Sequence, residues 1–126
     1  MTRARIEPFL PRVARAKIPG PLERRHLVER DLAAAQALAI AEAYLADDRR
    51  VEAVDFLAKA QAGEKLGELR RSAIAEGDVF LLRAVSEAEQ RAPTREDWQR
   101  LAEAADARGL ERYAAEARRQ AERGEA

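Results

Sequence analysis

The chain has 126 residues, a formal net charge of zero, 47% hydrophobic residues and no cysteine. That length supports one modest core; the charge balance removes any global argument for nucleic acid, and without cysteine neither a disulfide nor a thiolate metal site can form. Alanine is the commonest residue by a wide margin, while aromatics make up only 5%. Alanine both favours helix and lets helix backbones approach closely, so the composition predicts an all-α protein.

The N-terminal stretch carries Arg3, Arg5, Arg12, Arg15, Lys17, Arg24 and Arg25 against Glu7 and Glu23, a net +5 over residues 1–25 that leaves −5 on the remainder. Ile6, Phe9, Leu10 and Val13 fall at i, i+3, i+4 and i+7, the spacing of a short helix face. Pro19, Gly20 and Pro21 then stop it. From Leu22 to Ala46 there is no breaker. The stretch reads either as one long helix or as two joined near Asp31, a residue suited to capping a new start. Asp47, Asp48, Arg49 and Arg50 read as a tight polar turn, and Val51, Val54, Leu57 and Ala58 give the next helix face, with Gly63 as its stop.

Leu66, Leu69, Ala73 and Ile74 line a third helix closed by Gly77 and Asp78. Val79, Leu82, Val85 and either Ala88 or Glu89 line a fourth, which Pro93 halts. Thr94 with Asp97 three residues later resembles a capping box. Trp98, Leu101, Ala102 and Ala105 line a fifth helix ended by Gly109, and Leu110, Tyr113, Ala114 and Ala117 a sixth. The expected organisation is a basic amphipathic arm over residues 1–21, three helical pairs over 22–122 and a frayed tail over 123–126, with short turns forcing antiparallel neighbours. No apolar run is long enough for a membrane span and no address signal is visible, so the cytoplasm is the expected compartment.

The pairs repeat. Ala37, Ile40, Ala41 and Tyr44 in the first align with Leu66, Leu69 and Ala73 in the second and with Trp98, Leu101, Ala102 and Ala105 in the third. In the following helices Ala53, Leu57 and Ala60 align with Ala114, Arg118 and Ala121, while the middle pair places Leu82, Ser86 and Glu89 there. This pattern resembles the tetratricopeptide repeat, with its W-x2-L-G-x2-Y and later A-x3-F signature over about 34 residues. Both steps between aligned starts, Ala37 to Leu66 and Leu66 to Trp98, are shorter than that period. The resemblance covers roughly residues 34–122 and implies a right-handed stack of about three antiparallel helical hairpins, an α-solenoid with an N-terminal helical addition. Small residues at Ala41, Ala53 and Ala60 are expected where helix backbones nearly touch, with Tyr44 and Leu57 filling the gaps beside them.

No catalytic constellation appears. His26 is the sole histidine, which rules out a histidine triad or a two-histidine metal site within one copy. Glu23 and His26 match the Glu-x-x-His of di-iron bundles, but that site needs a second motif and two further inward carboxylates. Asp47 and Asp48 are adjacent and suit turn chemistry, the six glycines are scattered singly, and Thr2, Ser72 and Ser86 have no base in reach. The expectation is a non-enzyme with no metal and no cofactor. The paired arginines, among them Arg24-Arg25, Arg49-Arg50, Arg70-Arg71 and Arg118-Arg119, are mostly interleaved with acids and read as solvated faces.

By resemblance, such repeats hold a peptide or partner helix in a concave groove and act as adaptors or assembly subunits. Carrying the groove positions over gives Leu38, Glu42 and Leu45 from the first pair, Gly67, Arg71 and Ile74 from the second, and Gln99, Glu103 and Asp106 from the third. One cation among acids beside an aliphatic strip favours a basic amphipathic helix of another protein. Self-association is a second expected mode. The competing reading is a regulator that docks on nucleic acid or anionic membrane through the basic arm, but no aromatic residues interleave with the arginines to stack bases. Burial of Ile6, Phe9, Leu10 and Val13 instead favours an arm that caps the first hairpin.

Overall fold

Pro21, which has no N–H to leave unpaired, opens the first helix of the computed structural model, which describes residues 17–123. Helix α1 (Pro21–Glu29) ends in extended backbone at Arg30, and α2 (Ala34–Ala46) begins after a short extended link. The unbroken stretch is therefore two helices. Asp31 does not cap the second: the cap residue is Ala33, with no side-chain hydrogen bond, and Asp31 lies two positions too early. The helix expected over Ile6–Val13, and with it most of the basic arm, falls outside the described residues. Helices α3 (Arg50–Lys59), α4 (Gly63–Glu76), α5 (Val79–Glu89), α6 (Arg95–Ala107) and α7 (Glu111–Arg123) follow, and no strand occurs among the described residues.

Each of the five turns from α2 to α7 closes in the same way. A residue with positive φ ends the helix, and the next amide reaches back to a carbonyl in its last turn: Arg49 to Tyr44 (2.9 Å), Ala62 to Leu57 (3.0 Å), Asp78 to Ala73 (2.9 Å), Arg91 to Ser86 (3.0 Å) and Leu110 to Ala105 (2.8 Å). This closure satisfies carbonyls that a bare helix end leaves open. The left-handed residues are Asp48, Gln61, Gly77, Gln90 and Gly109. Gly63 is thus not the stop of α3; Gln61 takes the left-handed conformation and Gly63 already belongs to α4. Asp48, Gly77 and Gly109 are separated by the same two steps as Ala37, Leu66 and Trp98, and Gln61 and Gln90 by the first of them, so the closures follow the register of the sequence repeat.

The chain divides into two units, one ending at Ala62 and the other beginning at Gly63. In the first, α2 packs on α3. Ala37, Ile40, Ala41, Ala43, Tyr44, Ala53, Val54, Phe56 and Leu57 are buried, and the Tyr44 and Phe56 rings stack 5.9 Å apart. Phe56, not Val51, belongs to the inward face of α3. With about 3.6 residues per turn, the face formed by Ala53, Val54, Phe56 and Leu57 leaves Val51 on the far side, where it is 46% exposed. Ala41 and Ala53 are fully buried as expected, whereas Ala60, at the helix end, is half-buried. Helix α1 buries no residue. It is fastened by Arg24, which donates to the Glu52 carbonyl, and by Lys59 Nζ, which donates to the Arg30 carbonyl, both at 2.8 Å.

In the second unit α4 packs on α5, α6 packs on α7, and α4 lies along α6, so two hairpins meet through their first helices. Leu66, Leu69, Ala73, Val79, Leu81, Leu82, Val85, Trp98, Leu101, Ala102, Ala105, Ala114, Ala117 and Ala121 form its core. Asp78 caps α5 by accepting the Leu81 N–H at 3.0 Å. The capping box before α6 is present in full: Asp97 N–H donates to Thr94 Oγ1 and Thr94 N–H donates to Asp97 Oδ2, each at 3.0 Å. Arg108 crosses back to donate to the Glu76 carbonyl at 3.1 Å. The alanines of α7 recur at 114, 117 and 121 on its inner face, while Arg112, Arg118, Arg119 and Glu122 are exposed.

Gly77 sits where α4 ends against α6. A Cβ added there would lie 2.7 Å from the Ala105 backbone, and φ is +74°. Gly77→Ala is expected to cost about 2–4 kcal/mol, the left-handed penalty plus overpacking. Gln61→Gly, which relieves a left-handed side chain, is expected to gain roughly 0.5–1 kcal/mol. Urea denaturation of both variants checks the pair, and equal or same-signed effects would contradict the turn geometry.

Candidate interaction surfaces

The second unit is organised around one buried guanidinium. Arg70 aligns with Ala41 of the first pair and Ala102 of the third, so it occupies the small-residue position of its repeat. Its side chain is only 6% exposed. It donates to Glu89 Oε1 at 2.9 Å and Ser86 Oγ at 3.2 Å on α5, and to Asp97 Oδ2 at 3.3 Å on α6. Longer contacts of 3.4 and 3.5 Å run to the carbonyls of Arg91 and Ala92 in the connecting loop. The expectation that Arg70 belongs to a solvated face is therefore corrected. Ser86 and Glu89, which depart from the small or aromatic residues of the repeat, are its partners. A planar fork with five donors can hold several acceptors that a lysine could not.

Burial alone would push the Asp97 carboxyl upward. The Thr94 amide, the Arg70 guanidinium and the Thr94 hydroxyl together outweigh it and hold the group below its ordinary range. Asp97 thus closes the capping box and neutralises Arg70 at once.

The residues expected to line a groove divide by unit. Arg71 and Ile74 lie on α4, and Gln99 and Glu103 on the adjacent α6; all are exposed except Ile74, which is half-buried. A Cβ at Gly67 would meet Arg71 Nη1 at 3.6 Å, so the Arg71 side chain folds back along its own helix. Asp106 is not free to meet a partner, because it pairs with Arg118 of α7. The charges left on α4 and α6 are one cation, Arg71, and one acid, Glu103, so this unit by itself shows no acidic excess. Leu38, Glu42 and Leu45 lie on α2 in the first unit, the leucines half-buried and Glu42 exposed.

Two more arginines of the first unit have partners that the sequence reading did not supply. The Arg24 guanidinium carbon lies 5.6 Å from the centroids of both the Tyr44 and Phe56 rings, and Arg49 lies 5.1 Å from Tyr44. These are cation–π distances. Arg49 also forms a two-point pair with Glu52, at 2.9 and 2.5 Å. His26 is exposed near the end of α1. Among the described residues no group of three or more His, Cys, Asp or Glu side chains is placed to hold a metal ion, and no helix is long and apolar enough to cross a membrane.

No protein-family model matches this chain, and no curated protein or solved structure matches it.

Glu116 on α7 is an acid held well below its ordinary range. Hydrogen bonds from Gln120, Arg119 and Arg83 bring its carboxyl from 4.5 down to about 2. A depressed carboxylate stabilises the fold above its unfolded value, and the contribution is lost as pH falls from about 4.5 towards about 2. Melting temperature is expected to drop through that window, and Glu116→Gln to make the drop shallower; an unchanged acid limb would show that Glu116 adds nothing. Arg70→Ala is expected to cost about 3–5 kcal/mol at neutral pH, since it removes the cation shared by two mostly buried carboxylates, Glu89 and Asp97. The loss should shrink in acid as Asp97, held low in the parent partly by Arg70, takes up its proton, a trend that denaturant titrations at several pH values will show or exclude.

Proposed function

We propose that this chain is a non-catalytic interaction module, a degenerate tetratricopeptide-like repeat that presents the outer face of α4 and α6 to an amphipathic helix or peptide of another protein. The observation that carries this reading is the recurrence of the helix closures at the register of the repeat, with Asp48, Gly77 and Gly109 at equivalent positions and α4 laid along α6. A hairpin repeat of this kind puts its first helices side by side, and their outward residues become one surface. Here that surface carries Arg71, Ile74, Gln99 and Glu103. Ile74 gives an apolar contact, Gln99 an amide, and the two opposite charges set orientation more than affinity. A partner helix with an apolar stripe, an acid opposite Arg71 and a base opposite Glu103 complements it.

Selection of displayed helical peptides against the chain, with the Ile74→Asp variant as the counter-target, tests the proposal. Recovered peptides are expected to bind with micromolar affinity and to lose at least about tenfold, some 1.4 kcal/mol, to Ile74→Asp and to Glu103→Arg. Recovery of peptides indifferent to both substitutions, or of none, would reject this face as the binding surface.

A further inference from the structure

A groove in the Gly63–Ala126 unit, away from the α4–α6 face, has a chemistry of its own. It is an open groove of about 670 Å³ between the later turns of α5 and the end of α7, bounded by the loop that leads into α6. Its apolar lining is Ala92, Pro93 and Trp98, the last only 5% exposed. Three arginines, Arg83, Arg91 and Arg123, line it against one acid, Glu87.

The acids nearby that would offset those arginines are engaged elsewhere. Glu89 and Asp97 are bound to Arg70. Glu116 is shared by Arg83, Arg119 and Gln120. Arg83 is thereby half-satisfied. Arg91 has only a marginal 4.0 Å approach to Glu89, which Arg70 already holds at 2.9 Å, and its side chain is 66% exposed. Arg123 is exposed and has no carboxylate partner among the described residues. Two arginines thus face a partly apolar trough without a strong ion pair.

The end wall of the groove is held from behind. The Arg91 amide bonds to the Ser86 carbonyl at 3.0 Å, Arg70 touches the Arg91 and Ala92 carbonyls, and the Thr94–Asp97 box fixes the far end of the loop. A wall set before the ligand arrives removes part of the ordering cost of binding. The lining also speaks to ligand class. Phosphate alone would leave Trp98 and Pro93 unused, whereas an extended chain can set an apolar side chain against them and its backbone amides against the Gln90 side chain.

We infer that this groove is a docking site for an acidic linear segment of a partner protein, with carboxylates on Arg91 and Arg123 and an aliphatic or aromatic side chain against Pro93 and the small accessible edge of Trp98. This site is distinct from the α4–α6 face, whose one cation and one acid ask for a partner of balanced charge, so either can fail without the other.

Trp98 is the only tryptophan in the chain, so its fluorescence reports occupancy directly. The probe is a short capped peptide alternating aspartate and glutamate around one central leucine and one phenylalanine. Its lysine counterpart, an all-acidic peptide lacking the two apolar residues and inorganic phosphate serve as comparisons. The acidic amphipathic peptide is expected to give a saturable change in Trp98 emission, weakened by salt. The Arg91→Glu/Arg123→Glu double variant should lose at least about tenfold in affinity with its melting temperature unchanged. The charge-matched Arg100→Glu/Arg112→Glu variant, altered outside the groove, should bind as the parent does.

No saturable change, equal loss in both double variants, or equal binding of the purely acidic peptide or of phosphate would overturn the inference. A concentration-dependent dimer that disappears in Arg91→Glu/Arg123→Glu would assign the groove to a second copy of the chain, and would equally overturn it.

Discussion

The α4–α6 region depends on how one charge is kept out of water. A guanidinium buried without partners is costly enough to unfold a small helical unit. Arg70 avoids that cost by drawing acceptors from α5, from the loop after it and from the start of α6. The arrangement fixes the approach of three helices more specifically than alanine contacts can, because hydrogen bonds have direction and alanine packing has little. Geometry is specified here by polarity in a core otherwise built from small apolar residues.

The remaining architecture follows from helix closure. Where Gly77 and Gly109 end their helices, the left-handed turn is sterically free; Asp48, Gln61 and Gln90 adopt it with a side chain attached. Those three residues stay in a strained region because the returning amide bonds hold them there. A turn that recurs at one register gives successive connections the same local form, even where the side chains differ.

Much of this was legible in the residue order. Breakers and caps located the helices: Pro93, Thr94 with Asp97, Gly77 and Gly109 all act where their chemistry places them. The alanine positions Ala41, Ala53, Ala102 and Ala105 are buried, and at Ala105 the backbone of Gly77 lies close enough that a Cβ added to the glycine would clash. Phe56 escaped notice because Val51, Val54 and Leu57 make an equally good periodic face, and periodicity alone does not choose between faces that share members. Gln61 was invisible as a turn residue because its conformation is imposed by the hydrogen bonds around it, whereas Gly63 carries the usual signal and does something else. Arg70 could have been found. The alignment that pairs Ala41 with Ala102 lands on it, and Ser86 and Glu89 break the pattern in the facing helix at the same repeat. Three coincident exceptions in one hairpin signal a compensated polar site. Of the candidate surface, the sequence supplied the positions on α4 and α6 but not their charge balance, since the pairing of Asp106 with Arg118 is a contact between helices.

The reach of Arg70 has a consequence for the chain as it is made. Helices emerge in chain order, and a hairpin can be completed only by residues already synthesised. Here the middle hairpin lacks Asp97, one of the two carboxylates that neutralise its arginine, until the first turn of α6 has emerged from the ribosome. The nascent α4–α5 pair therefore has Glu89 alone as the carboxylate for Arg70, and the full set of acceptors is completed by a residue that belongs to the following hairpin.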